Sequence, residues 1–468
     1  MRNKLLLLLS ILFFFASCEK DEEVNYFDYI DEVLVTDDNN KLRNNVEIKL
    51  KRDAAVQIEY WKTDDASTLL KTALTEPLNN HSVKLVLLEP NSDYNFRILV
   101  KQDNNDPIIS TDFTFKTRSL PENLSKFEAK IPDSEYKFKG YIHVATKWTN
   151  SYLYLLNSNG TIVWYESVDD KAIINSSFDP VHNTFQCIVG QNPNQQFGGD
   201  EIRVVDLYGN IVLKKTYNEL KNPDVHHDIQ RLANGDLIMI NNIAKEFDLS
   251  SKGGTIAERV NGEGLTIMDI EGNVKWEWDC FSVVHPLDYP FIMDAAPDGR
   301  LSPREDLMHA NSISLDTDGN YLMTHNRLNQ LWKINSKTGE LMYTLGVNGD
   351  IEVDQEGLTS GIHSSYINFD GEITILDNGK SRKQSRALSF VVDETNKKAE
   401  IKKAISFPRE LFSPNQASAY MMDYNHILFG SSGSKTIAIT DMDGTPVWQY
   451  QCDLVFYRAY YIEEIKLD

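Results

Sequence analysis

Histidine is the residue type in this chain whose placement points most directly to chemistry. There are ten histidines among the 468 residues. His363 opens an alternating apolar and polar run that predicts a strand followed by an Asp-Gly hairpin turn, and His309 stands before a similar hairpin. The adjacent pair His226 and His227 precedes a third hairpin, with an Asn-Gly turn. A neutral imidazole, with its pKa near about 6.5, can act as a nucleophile, a proton carrier or a metal ligand.

The adjacent pair raises the question of which ring enters the site. Counting back from the last apolar residue of the strand aligns His226 with His309 and His363, whereas counting forward to the turn glycine aligns His227 with His363. Adjacent strand residues point to opposite faces of a sheet, so only one ring should face inward. We favour His227 as the inward residue.

A repeat provides the elements that would position these rings. A turn followed by a strand that often ends in an aromatic residue recurs along the chain, and the hairpins described above supply the other half of each unit. Two hairpins make four strands, which is one propeller blade. The pattern predicts an all-β chain with a six-bladed β-propeller over residues 126–468, whose innermost strands bring the histidines to the central channel. The repeated glycines and tryptophans are explained by turns and by packing between blades.

The residues before the repeat predict two further parts. Residues 26–120 contain alternating runs at 46–50, 56–61 and 82–87, then a pattern of Leu, Pro, Tyr and Phe at 88–100 that is similar to a fibronectin type III strand. They predict a small N-terminal β-sandwich that acts as a spacer or docking module, through which a homodimer is possible.

The first residues indicate export. A basic start, a short apolar run and Ala16-Ser17-Cys18 are typical of a lipoprotein signal peptide over residues 1–18, with Cys18 as the lipidated residue, and residues 19–25 form an acidic tether. These features predict a protein anchored by lipid in the bacterial cell envelope, either periplasmic or surface-exposed.

Composition excludes several classes of partner. The formal net charge of −22 argues against nucleic acid and against adsorption to anionic lipid. The remaining cysteines (Cys187, Cys280 and Cys452) are odd in number and widely spaced, so they predict neither a disulfide framework nor a thiolate metal site. The glycine- and serine-rich run at 430–435 lacks the spacing of a phosphate loop and is expected to be a blade turn, so no nucleotide cofactor is predicted.

The motifs around the histidines resemble those of the bacterial arylsulfate sulfotransferases. The motif residues are His309, Asn311, the Asp318-Gly319-Asn320 turn, Arg327 and the run at 331–335, together with His227-Asp228-Ile229 and with His363 before Asp377-Asn378-Gly379. The resemblance covers residues 126–468. It implies transfer of a sulfuryl group from a phenolic sulfate ester to a phenolic acceptor, by a ping-pong route through a sulfohistidine and without a nucleotide donor.

The resemblance also implies roles for individual residues. His363 is the expected nucleophile, and His309, His227 and Arg327 complete the catalytic set. Asn311 and His226 are expected to bind substrate. The chemistry suits these residue types, because a guanidinium fork and an amide N–H can hold sulfuryl oxygens while a second imidazole carries the proton of the phenol.

Two other classes of function remain open from sequence. One is a non-catalytic propeller that binds glycan or protein at the cell surface. The other is a metal-dependent hydrolase or lyase, because His226, His227, Asp228, His309 and His363 include residue types that bind zinc or iron. Arg327 in the same pocket would repel a cation, which disfavours the metal reading.

Overall fold

The structure is a computed structural model. It describes residues 26–102, 105–125, 136–147, 151–168, 171–190, 198–220, 224–296, 301–452 and 454–467. The predicted signal peptide with Cys18, the acidic tether 19–25 and the predicted start of the propeller at residue 126 lie outside the described residues.

The N-terminal part is built on one long strand. Its strands are β1 (Ile30–Asp37), β2 (Asn44–Lys62), β3 (Asp65–Lys71), β4 (Leu78–Leu85), β5 (Asp93–Gln102), β6 (Asn105–Ile109) and β7 (Phe113–Lys116). The first half of β2 pairs with β1 and β4, and its second half pairs with β3 and β5. The sequence runs at 46–50 and 56–61 are therefore one strand and not two. The fibronectin-like character of this part stays a prediction.

Six four-stranded antiparallel sheets follow within the described residues. Their strands are β8 (Tyr141–Thr146), β9 (Tyr152–Leu156), β10 (Ile162–Ser167), β11 (Ala172–Asp179), β12 (Thr184–Gly190), β13 (Glu201–Asp206), β14 (Ile211–Thr216), β15 (Val225–Arg231), β16 (Leu237–Phe247), β17 (Glu258–Met268), β18 (Val274–Asp279), β19 (Ala310–Leu315), β20 (Tyr321–His325), β21 (Gln330–Ile334), β22 (Leu341–Gly346), β23 (Ile362–Ile367), β24 (Ile373–Asp377), β25 (Arg386–Asp393), β26 (Lys398–Ser406), β27 (Ser418–Met421), β28 (His426–Ser431), β29 (Thr436–Asp441), β30 (Pro446–Gln451) and β31 (Phe456–Ile462). The prediction of an all-β chain with a six-bladed propeller is confirmed.

Helical structure among the described residues is limited to short turns. They are α1 (Glu122–Ser125) and 3₁₀ turns at Tyr26–Asp28, Tyr217–Glu219, Ser250–Lys252, Cys280–Ser282, Pro286–Asp288, Gln355–Gly357 and Arg409–Leu411. None of the described helices has the length and apolar character needed to cross a membrane.

The last strand closes the ring. The first blade has the order β10-β9-β8-β31, so β31 pairs with β8 even though the two strands lie at opposite ends of the propeller sequence. The innermost strands are β31, β11, β15, β19, β23 and β27, and each lies beside the next around the channel. The strands that carry the histidines are therefore the inner ones, as the repeat predicts.

Turns and tryptophans have the structural roles expected of them. Gly319 and Gly371, in the hairpin turns after the histidine strands, have φ of +80° and +77°, which favours glycine. Trp164 of the first blade donates its indole N–H to the Leu207 carbonyl of the second at 2.7 Å. Trp448 of the sixth blade donates to Ser158 of the first at 3.1 Å. The tryptophans thus fix neighbouring blades to each other.

One smaller sequence prediction is also confirmed. The run at 430–435 spans the end of β28 and the turn that leads into β29, as expected of a blade turn. Cys187, Cys280 and Cys452 are buried.

Candidate functional site

The inner strands beside the site histidines are irregular. In β23 the register shifts between Ile362 and Ser364, so His363 is the extra residue of a bulge. In β19 the shift lies between Ala310 and Ser312, so Asn311 is the extra residue there, and His309 precedes the strand with φ of +56°. Bulges re-aim side chains and are common beside active sites. The bulge in β23 turns His363 away from the ordinary alternation of the strand.

The expectation that only one ring of the adjacent pair faces inward is wrong. The register of β15 shifts between Val225 and Ile229, and His227 adopts φ of +56°. As a result the Nδ1 atoms of His226 and His227 are 2.6 Å apart. Both rings therefore belong to one cluster, because the bulge removes the two-residue period on which the expectation depended.

Within this pair the charges differ. His226 Nε2 lies 3.0 Å from Glu263 Oε2, and both side chains are buried. Burial lowers the pKa of His226, but the Glu263 carboxylate outweighs it and the net pKa is raised. Burial and the neighbouring positive charges lower the pKa of His227 far below its usual value. The raised pKa of His226 and the lowered pKa of His227 favour donation from His226 Nδ1 to His227 Nδ1.

His309 is held by a carboxylate. Its Nδ1 lies 2.7 Å from Asp306 Oδ2, and its ring centroid is 4.9 Å from that of His227. Burial raises the pKa of Asp306, yet the hydrogen bond from His309 and the nearby cations lower it overall. Since Nδ1–H is committed to Asp306, Nε2 is the nitrogen of His309 that can exchange a proton with a ligand.

Arg327 joins the cluster through the same carboxylate. Its Nη2 donates to Asp306 Oδ2 at 3.5 Å and to the Leu301 carbonyl at 3.0 Å. It also lines a cavity of about 230 Å³ together with Phe291, Asp294, Ala295 and Pro303. Arg327 therefore shares the Asp306 carboxylate with His309 and lines a partly apolar cavity.

His363 has a neutral partner. Its Nδ1 contacts the Asn378 side-chain oxygen, and the Asn326 amide nitrogen is 3.1 Å from the same atom. The ring is 4% exposed. Burial, His309 and Lys380 lower the pKa of His363 well below its ordinary value. A neutral imidazole at neutral pH is what a nitrogen nucleophile requires.

The arginine at the centre of the ring is one that sequence reasoning missed. Arg458, on β31, is 2% exposed and donates to Asp228 Oδ2 at 2.8 Å. Its other terminal nitrogen donates to the Asn311 carbonyl and, at 3.2 Å, to the His363 carbonyl. We call Arg458 and these three partners the Arg458 hub. It links the four inner strands β31, β15, β19 and β23.

Asn311 is oriented toward the protein. Its Nδ2 donates to the Ile362 carbonyl at 3.1 Å, and its Oδ1 is buried with no hydrogen-bond partner among the described residues. Sequence reasoning expected its amide N–H to bind substrate. The structure instead shows the amide linking the start of β19 to the start of β23.

Lys147 and Tyr457 also lie near the histidines, and neither belongs to a sequence motif. Lys147, at the end of β8, is 4% exposed, and burial lowers its pKa to about 8. Its Nζ lies 5.4 Å from the centroid of the Tyr457 ring, and that ring centroid is 5.9 Å from the His227 ring. A cation set in an otherwise apolar strand is the one signal that could have singled out Lys147 or Arg458.

The histidines are not arranged as metal ligands. Among the described residues, the group of three that could place ligand atoms within 4.8 Å of one another is Asp316, Asp318 and Glu394. The Lys333 ammonium fills that group, at 2.7, 2.6 and 2.5 Å from the three carboxylates. None of the four site histidines belongs to such a group among the described residues.

Comparison with known proteins places this geometry in context. The family model for Arylsulfotransferase (ASST) matches residues 105–449, which include the four site histidines, Arg327 and Asn378. No curated protein sequence matches the chain.

Similar solved structures are remote in sequence. A protein of unknown function from Bacteroides caccae has 10% identity and a TM-score of 0.43 over 70% of this chain and 100% of its own. The virginiamycin B lyase of Staphylococcus aureus has 12% identity and a TM-score of 0.35 over 72% of this chain and 89% of its own. A luciferin-regenerating enzyme has 10% identity and a TM-score of 0.36, over 72% and 99%. None of these likenesses informs the chemistry of the site.

Proposed function

This chain belongs to the arylsulfotransferase family, and from that premise we propose a ping-pong transfer of a sulfuryl group between phenols, with His363 as the carrier. The donor is a phenolic sulfate ester and the acceptor a second phenol, and no nucleotide takes part. The observation that supports this most is a buried, neutral His363 whose Nδ1 is already bonded to Asn378, so that Nε2 holds the free electron pair.

In the first half-reaction His363 Nε2 attacks the sulfur of the donor. The N–S bond forms as the S–O bond to the phenol breaks, and the departing phenolate takes a proton from Nε2 of a charged His309. Asp306 stabilises the charged form of that ring through Nδ1. In the second half-reaction the acceptor phenol returns its proton to His309 while its oxygen attacks sulfur, and the N–S electron pair goes back to His363.

Charge around the sulfuryl group comes from several directions. In the proposed mechanism His227 accepts at Nδ1 from His226 and presents an Nε2–H donor to the sulfuryl oxygens. Arg327 carries a permanent positive charge, and its Nε is buried with no hydrogen-bond partner among the described residues. Preorganised donors and cations are the largest source of stabilisation for the oxygens of a transferring group. The cavity beside Arg327, with Phe291 and Pro303, is where we place the aryl ring.

The test is sulfotransfer without nucleotide. A chromogenic aryl sulfate should release its phenol only when a second phenol is supplied, with parallel lines in a two-substrate kinetic analysis. Brief exposure to the donor alone should add one sulfuryl group to the intact protein, localised to His363 by peptide mass spectrometry. His363→Ala should abolish both signals, and His426→Ala, at the turn between β27 and β28 of the sixth blade, should keep both. Full activity in His363→Ala would refute the assignment.

We also propose that Cys18 anchors the chain to a bacterial membrane by lipid. The support is the sequence pattern that ends in Cys18. Wild-type protein made in a bacterial host should incorporate a clickable fatty acid and sediment with membranes, and Cys18→Ser should do neither. Labelling of the Cys18→Ser variant would contradict the proposal. Light scattering of the released protein determines whether a homodimer forms.

A further inference from the structure

Asn378 is held in a single orientation. Its side chain is fully buried, and its amide nitrogen donates to the Ser413 carbonyl at 2.8 Å and to the Gln416 carbonyl at 2.9 Å. An amide nitrogen has two hydrogens, and both are used by these carbonyls. The Asn378 oxygen therefore faces the opposite way, toward His363 Nδ1.

This orientation decides which nitrogen of His363 carries the hydrogen. An amide oxygen can only accept, so the bond to Asn378 requires Nδ1–H and leaves the electron pair on Nε2. Asn326 competes, because its amide nitrogen is 3.1 Å from the same Nδ1. However, Asn326 already donates to the Ile362 carbonyl at 2.8 Å and is only half-buried, so water can satisfy its second hydrogen. The fully buried Asn378 oxygen has no such alternative, and an unsatisfied buried acceptor is costly.

We propose that Asn378 is the positioning residue that sets the tautomer of His363 and keeps its sulfurylated form reactive. The proposal rests on the proposed sulfotransfer function. Asn378 does not touch the reacting atoms. It acts by committing Nδ1, so that Nε2 is the nitrogen that attacks sulfur.

The neutral character of Asn378 has a second consequence. When Nε2 bonds to sulfur, the ring keeps its Nδ1 hydrogen and becomes formally positive. When the acceptor phenol takes the sulfuryl group, the N–S electron pair returns and the ring is neutral again. A carboxylate at position 378 would stabilise the positive ring and so slow cleavage of the N–S bond, because hydrogen bonds between charged groups are about twice as strong as neutral ones. His309 has the opposite arrangement: in the proposed mechanism it must carry a positive charge, and its partner is the Asp306 carboxylate.

A measurement without substrate tests the tautomer. In protein labelled with ¹⁵N only in histidine, long-range ¹⁵N–¹H correlations distinguish protonated from unprotonated ring nitrogens, and His363→Gln identifies the signals. Wild type should show His363 as Nδ1–H with a bare Nε2. Asn378→Leu removes the acceptor and should give Nε2–H or a mixture. A wild-type ring with Nε2–H would overturn the proposal whether or not the protein transfers sulfate.

A second measurement tests the neutral partner and covers the case in which Asn378→Leu does not fold. In Asn378→Asp, single-turnover decay of the sulfohistidine to phenol should become slower by about tenfold once the new carboxyl ionises, while formation is affected less. The matched control is Asn368→Asp, a buried asparagine in the same blade that bonds to Glu372 and Thr374 and not to His363. Equal decay in wild type and Asn378→Asp at all pH values would overturn the proposal. A wild type that forms no sulfohistidine would refute the proposed function instead.

Discussion

Replacing Arg458 by methionine should destabilise the propeller and disable its site together. Arg458 and Asp228 are each 1% exposed in their side chains, and their charges are 2.8 Å apart. Methionine fills similar volume without the charge, so the Asp228 carboxylate stays buried without its cation. Removing one partner of a buried ion pair typically costs about 3–5 kcal/mol, because the remaining charge is uncompensated. That is a large share of the roughly 5–15 kcal/mol by which a domain is stable.

A double substitution separates the lost charge from the lost packing. Asp228 also accepts from the Ile313 N–H at 3.1 Å, and asparagine at 228 can keep that bond while removing the charge. Arg458→Met with Asp228→Asn should therefore lose less stability than the sum of the two single variants. We expect a coupling of about 0.5–3 kcal/mol, the range found for residues in direct contact. Urea denaturation followed by tryptophan fluorescence gives the free energies of unfolding.

Activity should not recover with stability in that double variant. The Arg458 guanidinium also donates to the carbonyls of Asn311 and His363, and neither methionine nor asparagine replaces these donors. Sulfotransfer should stay well below wild type even where the protein is folded. Additive free energies, or a stable Arg458→Met protein with normal activity, would refute the view of Arg458 as a charged support for the histidine strands.

Three further changes test the electrostatics of the site. Asp306→Asn leaves His309 without its carboxylate. Transfer from the sulfate of a phenol that is a poor leaving group should slow by about 100-fold, and transfer from a nitrophenyl sulfate, whose leaving group needs no proton, should slow less. Equal losses for both donors would contradict the role of His309. Burial lowers the pKa of Lys147 to about 8, against 10.5 in the unfolded chain, so the unfolded chain binds more protons between these two values. The free energy of unfolding should therefore rise with pH across this window, by on the order of 3 kcal/mol. Lys147→Met should flatten the rise, as measured by urea midpoints across the same window. The raised pKa of His226 contributes stability that is complete below about pH 6.5 and is lost as pH rises through the pKa of the folded state. Glu263→Gln removes the carboxylate but keeps an acceptor for the Ala310 N–H, so it should abolish this loss in the same assay.

The architecture could be predicted because each blade is specified by short local sequence patterns. Each hairpin turn has its glycine or asparagine, and each strand that follows has alternating apolar residues, so counting these units gives the blades. The placement of His309 and His363 at the start of inner strands follows from the same count. Local pattern therefore reached the fold and the inner-strand position of these two histidines.

The parts that sequence missed depend on contacts between distant residues. Arg458 lies 230 residues from Asp228 and reaches the channel only because β31 pairs with β8. Glu263 meets His226 across a blade, from the middle of a long strand. The bulges were also missed, since an extra residue in one strand is visible only against its partner. These three features place the charges of the site, and none of them has a motif of its own.

The partners of the histidines explain how similar rings can do different work. The Glu263 carboxylate raises the pKa of His226, which favours donation from its Nδ1 to His227. His309 also has a carboxylate partner, but the His309 side chain is more exposed, at 30%. This exposure suits a ring that exchanges protons with a ligand in the proposed mechanism. His363 has an amide and is buried, and its lowered pKa favours the neutral ring that the proposed nucleophile requires. If these roles follow from the partners, exchanging Asn378 for a carboxylate and Asp306 for an amide in one protein should raise the pKa of His363 and should not restore the activity lost by either change alone.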